Sequence, residues 1–109
     1  VAGDASSVLD LSDIVDRVAS VARENPAVER VHLFGSYARG EADAASDVDL
    51  RVKLDRSLPF GMFDLGALYG SFVRALGREV DVVTSDNLGS DDFARAVERD
   101  EVLLYERPA

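Results

Sequence analysis

The sequence predicts an α/β (α+β) domain, a mixed β-sheet of about four strands with helices packed on it. Three observations predict it. From Asp47 to Leu54 the residues alternate cleanly, with Val48, Leu50, Val52 and Leu54 on one side and Asp47, Asp49, Arg51 and Lys53 on the other, the pattern of a strand with one buried face. Ile14, Val15, Val18, Val21 and Ala22 recur at helical spacing and form one apolar stripe. Segments of the two kinds then take turns along the chain in the order α-β-α-β-α-β-α-β.

The elements follow in order. The first residues are small and polar, and residues 1–10 are expected to be flexible. Ser12 is the expected cap of the first helix, with Asp13 and Asp16 in its first turn, where the helix dipole favours anions. Asn25-Pro26 stops that helix. Val28 to Phe34 reads as a strand with Val31 and Leu33 on one face. Gly35-Ser36 breaks it, a short helix runs through Arg39, and Gly40 ends that turn. Glu41 to Ser46 is a polar loop leading into the alternating strand. Asp55 to Pro59 is a turn. A helix fits Phe60 to Leu76, with Leu65, Leu68, Phe72 and Leu76 on one side, and Gly77 terminates it. Glu79 to Thr84 is a strand in which Val80 and Val82 oppose Asp81 and Val83. Ser90, Asp91 and Asp92 open a last short helix carrying Phe93, Ala96 and Val97, and Val102 to Tyr105 adds an edge strand. Phe60, Phe63 and Phe72 are expected in the core, with a docking patch of Phe60, Met62 and Phe63 as the alternative.

Composition bounds the function. The 109 residues fit one domain, with an apolar fraction of 47% and a charged fraction of 30%, an ordinary globular balance. The 21 acidic and 12 basic residues give a net charge of −9. That charge repels a phosphate backbone and disfavours general nucleic-acid binding. It is compatible with a basic protein partner and equally with a merely solvated surface. Cysteine is absent, which excludes disulfides and thiolate chemistry. With neither a leader nor an apolar span in the sequence, a cytoplasmic location is expected.

The chemistry is carried by Gly35-Ser36-Tyr37-Ala38-Arg39-Gly40 and by Asp47-Val48-Asp49. Aspartates two apart on a strand leave the same face, roughly 6.5–7 Å apart at the backbone. They can lean together and bridge hard cations, which in two-metal sites stand ~3.5–4 Å apart. Asp81 joins them if its strand is the neighbour, since adjacent strands lie only ~4.8 Å apart. Such carboxylates repel one another, so that without a cation at least one tends to keep its proton. Mg²⁺ relieves the repulsion and brings phosphate oxygens as further ligands. Glycine at the strand end lets a backbone approach closely, and amides at a helix start favour anions. The Ser36 hydroxyl can donate to a phosphate. Arg39 can face the phosphates or pair with Glu41 or Asp43. Each piece alone is ordinary: Gly-Ser is a common turn and Asp-x-Asp a common solvated face. Their order and spacing are what carry information.

Taken together, Gly35-Ser36, Asp47-Val48-Asp49 and Glu79-Val80-Asp81-Val82-Val83 resemble the nucleotidyltransferases of the DNA polymerase β-like superfamily. Its pattern is Gly-Ser, a spacer, Asp-x-Asp and a later carboxylate. The Gly-Ser-Tyr-Ala-Arg-Gly form is similar to the minimal nucleotidyltransferase (MNT) antitoxins that pair with HEPN-domain ribonuclease toxins. The likeness runs from about Leu11 to Tyr105, with no departure at the motif positions. It implies that Asp47, Asp49 and Asp81 are catalytic and bind Mg²⁺ or Mn²⁺, with Asp81 as general base or further metal support. It implies that Gly35, Ser36, Arg39 and Ser46 bind the nucleotide. It implies transfer of AMP from ATP to a tyrosine of a HEPN toxin in a hetero-oligomer. A C-terminal substrate domain of the kind found in antibiotic-modifying relatives is not expected here, which favours a protein acceptor. Two other functions stay open: neutralisation of a toxin by occlusion without catalysis, and nucleotidylation of a small molecule. His32, Tyr37 and Tyr105 read as structural residues.

Overall fold

In a computed structural model, residues 8–84, 95 and 99–108 are described. The order of elements is α1 (Leu11–Arg23), β1 (Val28–Phe34), α2 (Gly35–Ala38), β2 (Val48–Leu54), α3 (Met62–Leu76), β3 (Val80–Thr84) and β4 (Val102–Glu106). The expected helix opening at Ser90 lies outside the described residues.

Helix α1 begins two residues earlier than the sequence suggests. Asp10, not Ser12, is its N-cap, in an extended conformation and without a side-chain cap bond. Its carbonyl takes the first helical bond from Ile14 N–H at 3.1 Å. Ser12 falls inside the first turn, exposed. The apolar stripe is realised by Ile14, Val18, Ala19 and Ala22, all buried. The helix stops at Arg23, ahead of Pro26, whose missing N–H and fixed φ end helices at or before the preceding residue. The Asn25 side chain donates back to Val21 O at 2.8 Å, satisfying one of the carbonyls that a helix end leaves open.

The four strands form one sheet in the order β3-β2-β1-β4. β1 is antiparallel to both β2 and β4, while β2 and β3 are parallel. The parallel pair needs a crossover, and α3 supplies it. One face of the sheet is the core. Val31, Leu33, Val48, Leu50 and Val52 close it with Ile14, Val18, Leu68, Phe72 and Leu76 from the two long helices. The other face carries His32, Phe34, Asp49, Arg51, Asp81 and Val83, because the pleat sends alternate side chains to opposite sides.

Helix α3 is shorter than the apolar run suggests. It starts at Met62, with Gly61 as N-cap and the Asp64 carboxylate accepting the Gly61 N–H at 2.7 Å. This leaves Phe60 ahead of the helix, half-buried. It also turns Phe63 outward. Phe63 is 95% exposed and Met62 88%, so Phe63 is not a core residue as expected. The core positions of α3 are Leu68, Phe72 and Leu76, and extending that 3–4 spacing backwards reaches Leu65 and skips Phe63. Gly77 ends the helix in the left-handed region, φ +70, as expected.

No helix among the described residues is long and apolar enough to cross a membrane.

Candidate active site

β1 ends and β2 begins at the same end of the sheet, and β3, parallel to β2, begins there too. The ladder places Phe34 opposite Asp49 and Asp49 opposite Asp81. These three residues form one transverse row on the face away from the core. Asp81 is therefore on the same side as Asp49, one strand away. Asp47 stands just ahead of the row, exposed, at the mouth of β2.

The turn that follows β1 wraps the same spot. Gly35 adopts φ +73, and a Cβ built on it would overlap the Asp49 carboxylate. Only a glycine permits both the conformation and the approach. The backbone after β1 and Asp49 of β2 are thus in contact because a side chain is missing. Helix α2 is a single turn, continued by Arg39 N–H to Gly35 O at 3.1 Å and Glu41 N–H to Ser36 O at 2.9 Å. Gly40 leaves it at φ +72.

Tyr37 anchors α2 from behind. Its hydroxyl accepts from Arg78 Nη1 at 2.8 Å and from Leu9 N–H at 3.3 Å. The turn before β3 and the segment before α1 are thereby tied to the glycine–serine turn, a structural role of the kind expected for Tyr37.

The electrostatics follow the geometry. Burial of Asp49, then the charges of Asp81 and Asp47, push its pKa up to about 6, against a smaller opposing pull from Arg39. Burial and like charges both disfavour the carboxylate. Among the described residues, however, no three His, Cys, Asp or Glu side chains are gathered into a group that could hold a metal ion. The acids are neighbours within one field rather than a closed cage.

The remaining expected residues divide. Ser36 is half-buried in α2, beside Gly35. Arg39 pairs with Glu41, Nε to Oε2 at 3.2 Å, the alternative the sequence left open, while still acting on Asp49 through its charge. Ser46 is used locally. Its hydroxyl accepts the Asp43 N–H at 2.9 Å and donates to the Asp43 carboxylate at 3.2 Å, shaping the loop that delivers Asp47.

Sequence reasoning missed a second cluster on this face. Arg51 follows Asp49 by two residues and is held by Glu101 through two bonds, Nε to Oε2 at 2.8 Å and Nη2 to Oε1 at 2.7 Å. His32, opposite Arg51 in the ladder, adds Nε2 at 3.7 Å from Glu101. Burial lowers the His32 pKa, with Glu101 opposing. The alternation of β2 shows that Arg51 shares a face with Asp49, but nothing local identifies a partner fifty residues away.

The family model described as Polymerase beta, Nucleotidyltransferase matches residues 16–109. The chain is 27% identical over 96 residues to the Methanocaldococcus jannaschii protein named "Putative protein adenylyltransferase MJ1379", covering 88% of this chain and 94% of that protein. A solved structure described as a "putative minimal nucleotidyltransferase" superposes with a TM-score of 0.72 at 31% identity, covering 88% of this chain and 97% of that one. A toxin–antitoxin structure with AMP-PNP gives a TM-score of 0.69 at 23% identity, covering 85% and 73%, a likeness of fold. The family model spans most of the sequence, and the chain belongs to the polymerase beta nucleotidyltransferase family.

Proposed function

We propose that this domain transfers AMP from ATP to a tyrosine hydroxyl of a HEPN-domain toxin and so acts as that toxin's antitoxin, with Mg²⁺ or Mn²⁺ as cofactor. The observation that carries the reading is the Asp49–Asp81 pairing beside Gly35. The name of the Methanocaldococcus jannaschii relative supports protein adenylylation. A chain in a solved structure of a tri-AMPylated Shewanella oneidensis HEPN toxin in complex with MNT antitoxin shares the fold, with a TM-score of 0.62 at 21% identity over 86% of this chain and 71% of that one.

The donor set fits a hard divalent cation. Burial of Asp49, with the charges of Asp81 and Asp47 added to it, raises its pKa, and the carboxylates do not close a ligand set by themselves. Mg²⁺ characteristically takes one or two carboxylates and completes its shell with substrate phosphates and water. Asp47 and Asp49 are the residues that would hold it, with Asp81 alongside. Bound there, the cation supplies electrostatic stabilisation of charge that develops on phosphate oxygens.

The chain's own residues do the rest. Gly35 gives the triphosphate close access to the backbone, and the Ser36 hydroxyl donates to a phosphate oxygen. Arg39 offsets negative charge at the rim. Asp81, on the exposed edge strand, accepts the proton of the incoming hydroxyl, which attacks the α-phosphorus as pyrophosphate leaves. Placing hydroxyl and phosphorus in line within one site accounts for much of the acceleration.

The acceptor is to be sought in the adjacent reading frame, as a small helical protein with an Arg-x(4–6)-His motif. Incubating it with this domain and radiolabelled ATP should label the partner. Asp47→Asn and Asp49→Asn should each abolish the label, and full labelling by either variant would overturn the assignment. Variants that no longer label yet still rescue cells would show that occlusion suffices.

A further inference from the structure

Tyr69 lies on α3, and its hydroxyl reaches the start of β3, where it donates to Glu79 Oε2 at 3.3 Å. Glu79 is fixed beside the motif, since its carbonyl accepts the Val48 N–H at 3.1 Å. That bond sets Glu79 against the Asp47–Val48 peptide, two residues ahead of Asp81. The Tyr69 hydroxyl thus stands at the end of the sheet where β2 and β3 begin. Its pKa is raised first by the charge of Glu79, then by desolvation and the Glu79 hydrogen bond, with smaller contributions from Asp81 and Asp47. Tyr69 is 38% exposed.

The other two tyrosines are placed differently. The Tyr37 hydroxyl is engaged by Arg78 and Leu9 behind α2. Tyr105 is on β4, at the opposite edge of the sheet from β3. Tyr69 alone combines an accessible hydroxyl, a carboxylate bonded to it and proximity to the acids of the site.

We propose that Tyr69 is an intramolecular acceptor, so that the domain adenylylates its own Tyr69 hydroxyl when ATP is bound. The inference rests on the adenylyltransferase reading and extends it to a substrate within the chain. The Tyr69 oxygen forms a bond to the α-phosphorus of ATP, and the bond from that phosphorus to the oxygen bridging to the β-phosphate breaks. Pyrophosphate leaves with the bonding pair. The phenolic proton passes to the Glu79 carboxylate that already accepts its hydrogen bond. Because acceptor and donor site share one chain, the step is favoured by proximity.

The test uses the full chain alone, with ATP and MgCl₂, followed by intact mass and peptide mapping over a dilution series. One AMP is expected on Tyr69, at a rate independent of protein concentration. Tyr69→Phe should abolish the adduct, and Glu79→Gln should slow it about a hundredfold, the typical loss when a general base is removed. AMP on Tyr37 or Tyr105 instead, or a rate that falls on dilution, would overturn the proposal. A bare Tyr69 in a chain that does label the toxin would overturn it while leaving the adenylyltransferase reading intact. A chain that modifies neither itself nor the toxin would remove both.

Discussion

Asp49 and Asp81 are direct partners in the parallel ladder between β2 and β3, so two acids far apart in sequence face the same side of the sheet at adjacent strand ends. Burial of Asp49, to which the charges of Asp81 and Asp47 add, has a thermodynamic sign. The Asp49 pKa is raised from 3.8 to about 6 in the folded chain. A raised carboxyl contributes stability that is complete below about 3.8 and is lost as pH rises through about 6. Asp49→Asn should therefore stabilise the cation-free protein at pH 7.5 by about 1–2 kcal/mol, a figure reduced for the partial solvent exposure of the group. The gain should shrink toward pH 5. Urea denaturation in the presence of chelator at both values measures it, and a variant less stable at pH 7.5 would contradict the electrostatics.

A cation that relieves the same repulsion binds the folded state and not the unfolded one. Millimolar Mg²⁺ should raise the melting temperature of the wild-type chain in a concentration-dependent way. EDTA should return it to its starting value. Asp47→Asn and Asp81→Asn should each weaken the response. A scan of melting temperature against MgCl₂ reads this directly, and an unaltered response in both variants would remove the carboxylates from the cation site.

Gly35→Ala should be far more damaging than a glycine-to-alanine change at an open position. The added carbon meets the Asp49 carboxylate, and φ is +73. The left-handed conformation alone costs an ordinary residue about 1–2 kcal/mol. Nucleotide transfer should fall at least about a hundredfold, on the order of what a displaced catalytic group costs. Gly66→Ala in α3 has open space around it and should leave activity unchanged, with helix propensity favouring alanine by up to ~1 kcal/mol.

Glu101→Ala should destabilise the fold by about 2–4 kcal/mol, because it strips the carboxylate from a largely buried arginine. Both Arg51 and Glu101 side chains are near 15% exposed. Replacing the two together, as Arg51→Met with Glu101→Leu, should recover most of that loss. Comparing the single and double variants by urea denaturation checks the pairing.

Phe72→Ala and Phe63→Ser should differ sharply although both are aromatic residues of α3. Phe72 is fully buried, and its truncation should cost about 3–5 kcal/mol. Phe63 is almost wholly solvent-exposed, and its change should stay within about 0.5 kcal/mol. Denaturation midpoints of the two variants decide the matter.

What could be read in the sequence was what repeats locally. The bounds of β1 and the buried face of β2 follow from alternation, and Gly77 from the helix stop it makes. The Asp-x-Asp pair is local too, two residues on one strand. The placement of Asp81 was conditional on strand order, which no local pattern contains; it becomes definite only once α3 carries the chain across to a parallel neighbour. Phe63 was misjudged because a run of apolar residues has no phase until a cap fixes where the helix begins, and the Gly61–Asp64 bond does that. Glu101 beneath Arg51 and Arg78 behind Tyr37 were out of reach for the same reason, since their partners are set by tertiary packing.

The bare backbone at residue 35 makes the two halves of the motif hostage to each other. A side chain there demands that the group at 49 shrink, and any residue small enough to comply has no acid to offer. Gly35→Ala combined with Asp49→Gly should thus relieve the crowding yet stay inert. The path by which most proteins repair a packing error, a second substitution next door, is closed at this spot, so drift can abolish the site but cannot remodel it piecemeal.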